Sequence, residues 1–242
     1  MIKKNVFKLM DRLKIVREPI NRNDRYGALY RSWGFVFTNL LKGAYYEFGL
    51  YKADTFIDSW HIYQQYVRWV KDQLSSPEEW RRETVKEYAA YTHEFIGFDS
   101  FEGIPENNEQ NKFFVKGTYA YSLQNVQKKC LQAGMPCRLT KGFFNEINPA
   151  TVAPMPKAVI ANIDCDLYQS AKDALNLLKD KFQQGTILLM DDYNCFASAH
   201  GEGERRVLKE FCQSDHRYDF EPWFPYHHVG QAFIIHVKGE QQ

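Results

Sequence analysis

Six short strand-like runs, separated by stretches of helical period, leave this chain few folds to choose from. The runs are AYYEF (44–48), EFIGFD (94–99), CRLTKG (137–142), AVIANID (158–164), TILLMDD (186–192) and QAFIIHV (231–237). Between them, residues 53–74, 78–91, 122–133, 168–183 and 203–213 repeat their apolar side chains at the spacing of an amphipathic helix. Strands that alternate with helices build βαβ units, so the expected fold is α/β, a mostly parallel sheet with helices on both faces. TILLM and AVIANI lack polar alternation, as strands covered on both sides should. No internal repeat or Pro/Gly/Ser linker interrupts the pattern, and 242 residues are enough for one domain with a sizeable core.

Charge narrows the partners. With 31 basic and 30 acidic side chains the chain carries a formal net charge of +1. It lacks the basic surplus that counterion release on a polyanion requires, so no nucleic-acid partner is expected. The longest apolar runs fall far short of the ~18 residues of a membrane span. The N-terminal MIKKNVFKLMDRLKIV has no signal-peptide core, because Lys and Arg interrupt its apolar pairs. Its Ile2, Val6, Leu9, Leu13 and Val16 fit an amphipathic helix, expected to pack on the domain or on a second subunit. The five cysteines form no CxxC pair and leave one unmatched in any disulfide scheme, which suits a reducing, cytoplasmic setting.

Ligands of such sheets bind at the carboxyl ends of the strands, near the point where strand order reverses. Here those ends read Glu47, Asp99, Gly142, Asp164 with Asp166, and Asp191 with Asp192. A purely structural sheet has no need of so many carboxylates. Gly49 follows the first strand, where a missing Cβ lets the backbone approach a ligand and the next helix offers unpaired N–H groups. The loop lacks the later glycines of a dinucleotide fingerprint. Asp99, after the second strand, stands where an acid commonly accepts ribose hydroxyls; capping of the next turn is its alternative role. Glu47 and Asp99 together favour a nucleoside.

The strongest signal is the pair IDCDLY (163–168) and LLMDDY (188–193). On neighbouring strands, Asp164, Asp191 and Asp192 converge. Two like charges 4 Å apart repel by roughly 4 kcal/mol at an effective dielectric near 20, so three call for a compensating cation. An all-oxygen donor set points to Mg²⁺ or a similar hard divalent ion.

The segments YYEFGLYKADTF, FIGFDSFEGIPE, RLTKGFFNEINP, ANIDCDLYQSAKDAL and GTILLMDDY, followed by GEGERRVLKEF, resemble the macrocin O-methyltransferase family in order and spacing. The resemblance covers about residues 43–237. It implies a class I, Rossmann-like fold for S-adenosylmethionine-dependent methyltransferases, with a seven-stranded sheet over 43–242 and an N-terminal helical extension over 1–42. It further implies a magnesium-dependent enzyme that methylates a hydroxyl of a sugar or glycosylated small molecule in natural-product biosynthesis, working as a homo-oligomer. Carried over by position, Asp164, Asp191 and Asp192 become metal ligands and Asp166 the general base. Cofactor contacts fall to Glu47, Gly49, Tyr51, Asp99, Ser100, Gly142, Phe143 and Asp164. Ala53 and Asp54 replace two glycines of the family's cofactor loop, and the stretch 61–92 is longer than expected, which suggests an added helix over the active site.

Two other readings stay open at this level. IDCD also fits the DxD of a metal-dependent glycosyltransferase, and Asp54 would suit a non-catalytic chain that kept the fold. His200, His227 and His228 are candidates for substrate contacts, the adjacent pair being favoured because it precedes the last strand. GEGERR most simply opens a solvated helix. Aromatic residues make up 16% of the chain; those at Tyr26, Tyr30, Trp33 and Phe35 and at Trp223, Phe224 and Tyr226 are expected to border the ligand end of the sheet, where flat rings suit sugar faces.

Overall fold

The computed structural model describes residues 24–109 and 114–239. The amphipathic segment Ile2–Val16 lies outside the described residues. The elements are α1 (Arg25–Thr38), β1 (Ala44–Phe48), α2 (Asp54–Gln73), α3 (Glu79–Lys86), β2 (Glu94–Asp99), α4 (Leu123–Gln132), β3 (Arg138–Lys141), α5 (Pro149–Val152), β4 (Ala158–Ile163), α6 (Tyr168–Leu178), β5 (Ile187–Met190), α7 (Gly203–Ser214), β6 (Tyr218–Tyr226) and β7 (Gly230–Val237). The strands form one seven-stranded sheet in the order β3-β2-β1-β4-β5-β7-β6. β1 to β5 pair in parallel, while β7 runs antiparallel to both β5 and β6. This is the expected α/β architecture.

Side chains alternate across the sheet with period two. Tyr45 and Phe95 join a core built with α1, α2 and α4, through Leu29, Trp33, Phe56 and Val126. Tyr46, Phe48, Ile96, Phe98, Ala161 and Ile163 face the other core, filled by Leu175, Leu178, Val207 and Phe211 of α6 and α7. β1, β4 and β5 are fully buried because they are covered on both sides, whereas β3 (RLTK), at one sheet edge, is polar and partly exposed. The seventh strand, β6, matches no apolar run because Pro222 and Pro225 interrupt it. At the sheet edge a strand tolerates proline, since one side of its backbone has no partner to satisfy. Its pairing with β7 shifts register between Pro222 and Phe224.

Two sequence-based expectations change here. The longer 61–92 stretch does not roof the ligand end: α2 leads away from that end, and the turn after α3 joins the opposite one. There the Tyr88 hydroxyl donates to the Leu41 carbonyl at 2.8 Å and Tyr91 reaches the Gly43 carbonyl, both just ahead of β1. Likewise Trp33 does not border a ligand. It is fully buried, its Nε1 donates to Ser59 Oγ at 2.9 Å, and its ring lies against Tyr45, Tyr63 and His93. Much of the aromatic content is therefore a core that fastens α1 onto α2 and the sheet.

His93 sits within this aromatic core, 3% exposed. Its Nε2 meets the Tyr88 hydroxyl at 2.9 Å and its Nδ1 the Gly43 carbonyl at 3.1 Å. Burial lowers its pKa to about 4. Unfolding frees the imidazole to bind a proton below about 6.5, whereas the folded chain resists protonation until about 4. Its contribution is thus complete above the unfolded value and is lost as pH falls through this window. Between pH 7 and pH 5 it should remove about 2 kcal/mol of stability. Urea unfolding at the two pH values checks this: His93→Gln should flatten the dependence, and an unchanged slope in that variant would assign the acid sensitivity to other groups.

Candidate active site

Register brings the acids together. Phe48 of β1 pairs with Ile163 of β4, and Ile163 with Met190 of β5. The next residues continue the ladder: the Asp164 N–H donates to the Phe48 carbonyl at 2.9 Å and the Asp191 N–H to the Ile163 carbonyl at 3.0 Å. Parallel neighbours lie about 4.8 Å apart, so consecutive strand ends must place their side chains side by side. One carboxylate oxygen each from Asp164, Asp191 and Asp192 lies within 4.8 Å of the others. The Asp192 Oδ2 atom is buried without a hydrogen-bond partner among the described residues.

Gly49 makes the close strand packing possible. It has φ +87°, and a Cβ there would stand 1.8 Å from the Asp164 carbonyl oxygen. Beside it opens a cavity of about 990 Å³. Gly49, Tyr51, Asp99, Ser100, Phe143, Asp164 and Asp166 line it, as do Arg25, Glu109 and Tyr119. Asp99 ties the cofactor-side loop together: its Oδ2 accepts from the N–H groups of Leu50 (2.6 Å) and Tyr51 (3.1 Å), its Oδ1 from Phe101 (2.5 Å). Ser100 Oγ donates to the Gly103 carbonyl and accepts from Glu102 N–H, shaping the following turn. Gly142 holds its strand end to β2, its N–H donating to the Asp99 carbonyl, and delivers Phe143 to the wall.

Glu47, expected to contact the cofactor, is not among the residues that line the cavity. It is 1% exposed, and the Tyr45 hydroxyl donates to it. Burial pushes its carboxyl up to about 8, against the opposing hydrogen bonds of Tyr45 and Asn162. Asp54 stands exposed at the start of α2, where Lys129 Nζ meets it at 2.5 Å and so offsets its charge. The acid introduced into the loop is therefore paired.

Asp166 adopts φ +62°, a left-handed conformation rarely held by a non-glycine residue unless its surroundings enforce it. Burial first, then the charges of Asp192 and Asp191, push its carboxyl up to about 7. Asp164 rises for the same reasons, desolvation followed by the Asp191 charge. Desolvation and the Asp191 charge raise Asp192 as well. Asp191 goes the other way: burial would raise it, but hydrogen bonds from Arg25 and His227 outweigh this and hold it below the usual carboxylate value.

Arg25 and Glu204 are the site residues that sequence patterns did not single out. Arg25 opens α1, capped by Asp24, and its guanidinium grips Asp191 from 166 positions away. Glu204 lies in the first turn of α7, 1% exposed, accepting the Asp192 N–H at 3.1 Å. GEGERR is thus part of the acidic centre's support, not a wholly solvated helix start. Among the histidines, His227 Nε2 meets Asp191 Oδ1 at 3.0 Å while its Nδ1 accepts from Val229 N–H, which fixes the proton on Nε2. His200 and His228 are exposed and do not line the cavity. Of the aromatic groups, Tyr226 is buried beside the acids, and Tyr119 meets Tyr51 edge to face at the cavity mouth, ring centroids 5.5 Å apart. No described helix is long and apolar enough to cross a membrane.

The family model described as "Macrocin-O-methyltransferase (TylF)" matches residues 81–214. A protein of Streptomyces olivaceus, 8-demethyl-8-(2,3-dimethoxy-alpha-L-rhamnosyl)-tetracenomycin-C 4'-O-methyltransferase, is 30% identical over 106 residues, covering 39% of this chain and 40% of its own length. The match thus spans well under half of that relative. Among solved structures, the O-methyltransferase NovP superposes with a TM-score of 0.64 at 18% identity, over 87% of this chain and 78% of its own. The calicheamicin methyltransferase CalS11 gives 0.58 at 18% identity, over 89% and 77%. At these identities the structures establish a shared fold, that of class I O-methyltransferases.

Proposed function

The chain belongs to the macrocin O-methyltransferase family, and from this membership and the acid-lined cavity at its strand ends we propose that it transfers a methyl group from S-adenosylmethionine to a hydroxyl of a sugar or glycosylated small molecule. The observation that carries the reading is the junction at Gly49 and Asp164, where the cofactor-side loop and the acidic centre share one cavity wall. The described 4'-O-methyltransferase relative acts on a rhamnosyl group, which favours a sugar acceptor here.

Donor atoms and environment suit a divalent cation. Three carboxylates supply only oxygens, and the buried Asp192 Oδ2 has no hydrogen-bond partner among the described residues. Asp164, Asp191 and Asp192 would hold the ion, and its chemistry is to offset their charge and lower the pKa of a nearby hydroxyl. Glu204, anchoring the Asp192 backbone, and His227, on Asp191, keep two of these carboxylates oriented.

For the cofactor, Gly49 leaves room beside the strand ends, and Leu50 and Tyr51 are held by Asp99, whose remaining acceptor capacity suits a ribose hydroxyl. Phe143 offers an apolar ring to the adenine. Transfer is an in-line displacement that needs the oxygen and methyl carbon held about 3–3.5 Å apart. Asp166 takes the hydroxyl proton on its carboxylate. Tyr51 and Tyr119 at the mouth give the acceptor's sugar ring flat faces to lie against.

Thermal denaturation in MgCl₂ separates this function from sugar-nucleotide chemistry. S-adenosylhomocysteine should raise the melting temperature and UDP should leave it unchanged. A response to UDP alone would replace the methyltransferase reading with a glycosyltransferase one.

A further inference from the structure

We propose that Arg25 is a tethered cation that competes with the divalent ion for Asp191, so that metal entry and the grip of helix α1 on the acidic centre exclude one another. The proposal rests on the metal reading given above. Arg25 Nε donates to Asp191 Oδ1 at 2.8 Å, and Nη2 engages Oδ2. The same Nη2 stands 3.8 Å from Asp164 Oδ1. Its guanidinium therefore spans two of the three carboxylates that form the candidate metal site.

The hydrogen-bonding capacity of Asp191 makes the conflict specific. Each carboxylate oxygen has about two acceptor directions. Those of Oδ1 are taken by Arg25 and His227, and among the described residues Oδ2 is engaged by Arg25 alone. A cation that binds Asp191 must take over an acceptor site from the guanidinium or settle a few ångströms from a permanent positive charge. Either route opposes entry, because like charges at such distances repel by several kcal/mol at an effective dielectric near 20. Asp192 Oδ2 is different: it is buried without a hydrogen-bond partner among the described residues, while the contacts of Arg25 go to Asp191 and Asp164.

Release of Arg25 is inexpensive for the side chain itself. About half of its surface is exposed, against 2% for the Asp191 side chain, so the guanidinium can return to water when another cation takes the carboxylate. The two states differ in where the first residue of α1 is tied. Arg25 also lines the cavity, so its side chain is within reach of both the acids and the ligand space.

The test uses the full chain, freed of metal by chelation, and Mn²⁺ as the probe, followed by the electron paramagnetic resonance of the free ion. Arg25→Gln should bind Mn²⁺ at least tenfold more tightly than the unchanged chain. Arg25→Lys, which keeps the charge without the two-pronged grip, should fall between them. In EDTA, Arg25→Gln should melt at a lower temperature than the unchanged chain, and MgCl₂ should raise it by the larger increment. Equal or weaker Mn²⁺ binding by Arg25→Gln overturns the proposal; if that variant does not fold, equal or weaker binding by Arg25→Lys does so. Equal binding by all three chains that is lost in Asp192→Asn leaves the metal site standing and removes Arg25 from it. Absence of Mn²⁺ binding in every chain overturns the metal reading and this proposal with it.

Discussion

Asp166→Asn is expected to lower the rate of methyl transfer by about 10²–10⁴-fold, the usual contribution of a positioned general base. The substitution keeps the size and planar shape of the side chain and removes its capacity to take up a proton. Asp166 lines the cavity in a left-handed conformation, on the short loop between β4 and α6, beside Asp164 and in range of the Asp191 and Asp192 charges. Because it is not among the groups assigned to the cofactor, S-adenosylhomocysteine should still bind the variant, as calorimetry would record. Turnover near that of the unchanged enzyme, measured with a deoxyhexose glycoside that serves as acceptor, would remove Asp166 from the role of base.

The second large effect is expected at Gly49. An alanine there would have to hold φ near +87° and place its Cβ 1.8 Å from the Asp164 carbonyl oxygen. A left-handed non-glycine residue costs about 1–3 kcal/mol by itself, and the backbone overlap forces β1 and β4 apart at the very position that aligns the acids. Gly49→Ala should therefore lose about 3 kcal/mol or more of stability in urea unfolding, with loss of S-adenosylhomocysteine binding in the fraction that folds. The two losses have one origin, since the same contact packs the strands and frames the cofactor loop. Native stability together with native cofactor affinity in this variant would show that the approach of the strands is not required.

Much of this architecture is legible in the sequence because its physics is local. AVIANI and ILLM are continuous apolar runs because both faces of β4 and β5 are covered, and the acids that follow them meet at the sheet's carboxyl edge, where Asp164 lines the cavity. Helix α6 stops at Leu178, short of the residue 183 limit that periodicity suggests, because the chain turns there: the Lys181 N–H donates to the Leu178 carbonyl while its Nζ donates to the Ala153 and Met155 carbonyls. Such a terminus is set by tertiary partners that no periodicity records.

What escapes sequence reading is long-range or depends on burial. Arg25 looks like one basic residue among 31, and only the fold of α1 across the sheet brings it to Asp191. Glu204 reads as a solvated helix start until α7 turns it under Asp192. β6 is hidden by its two prolines, which an edge position excuses. Conversely, Trp33 looks like a binding aromatic because composition cannot separate a ring in the core from one at a cavity mouth, whereas Tyr51 and Tyr119 do reach that mouth. The pair His227-His228 divides between the two situations: one ring is fixed on Asp191 and the other is exposed.

The central claim is that one cavity holds the methyl donor beside a divalent ion bound by the strand-end acids. Diffraction at the manganese edge from crystals grown with S-adenosylhomocysteine and MnCl₂ addresses it most directly. The expected map has one anomalous peak among the carboxylates of Asp164, Asp191 and Asp192, with the cofactor product lying along Gly49 and Asp99. An anomalous map with no peak among these three acids, or a cofactor bound away from Gly49, would contradict it.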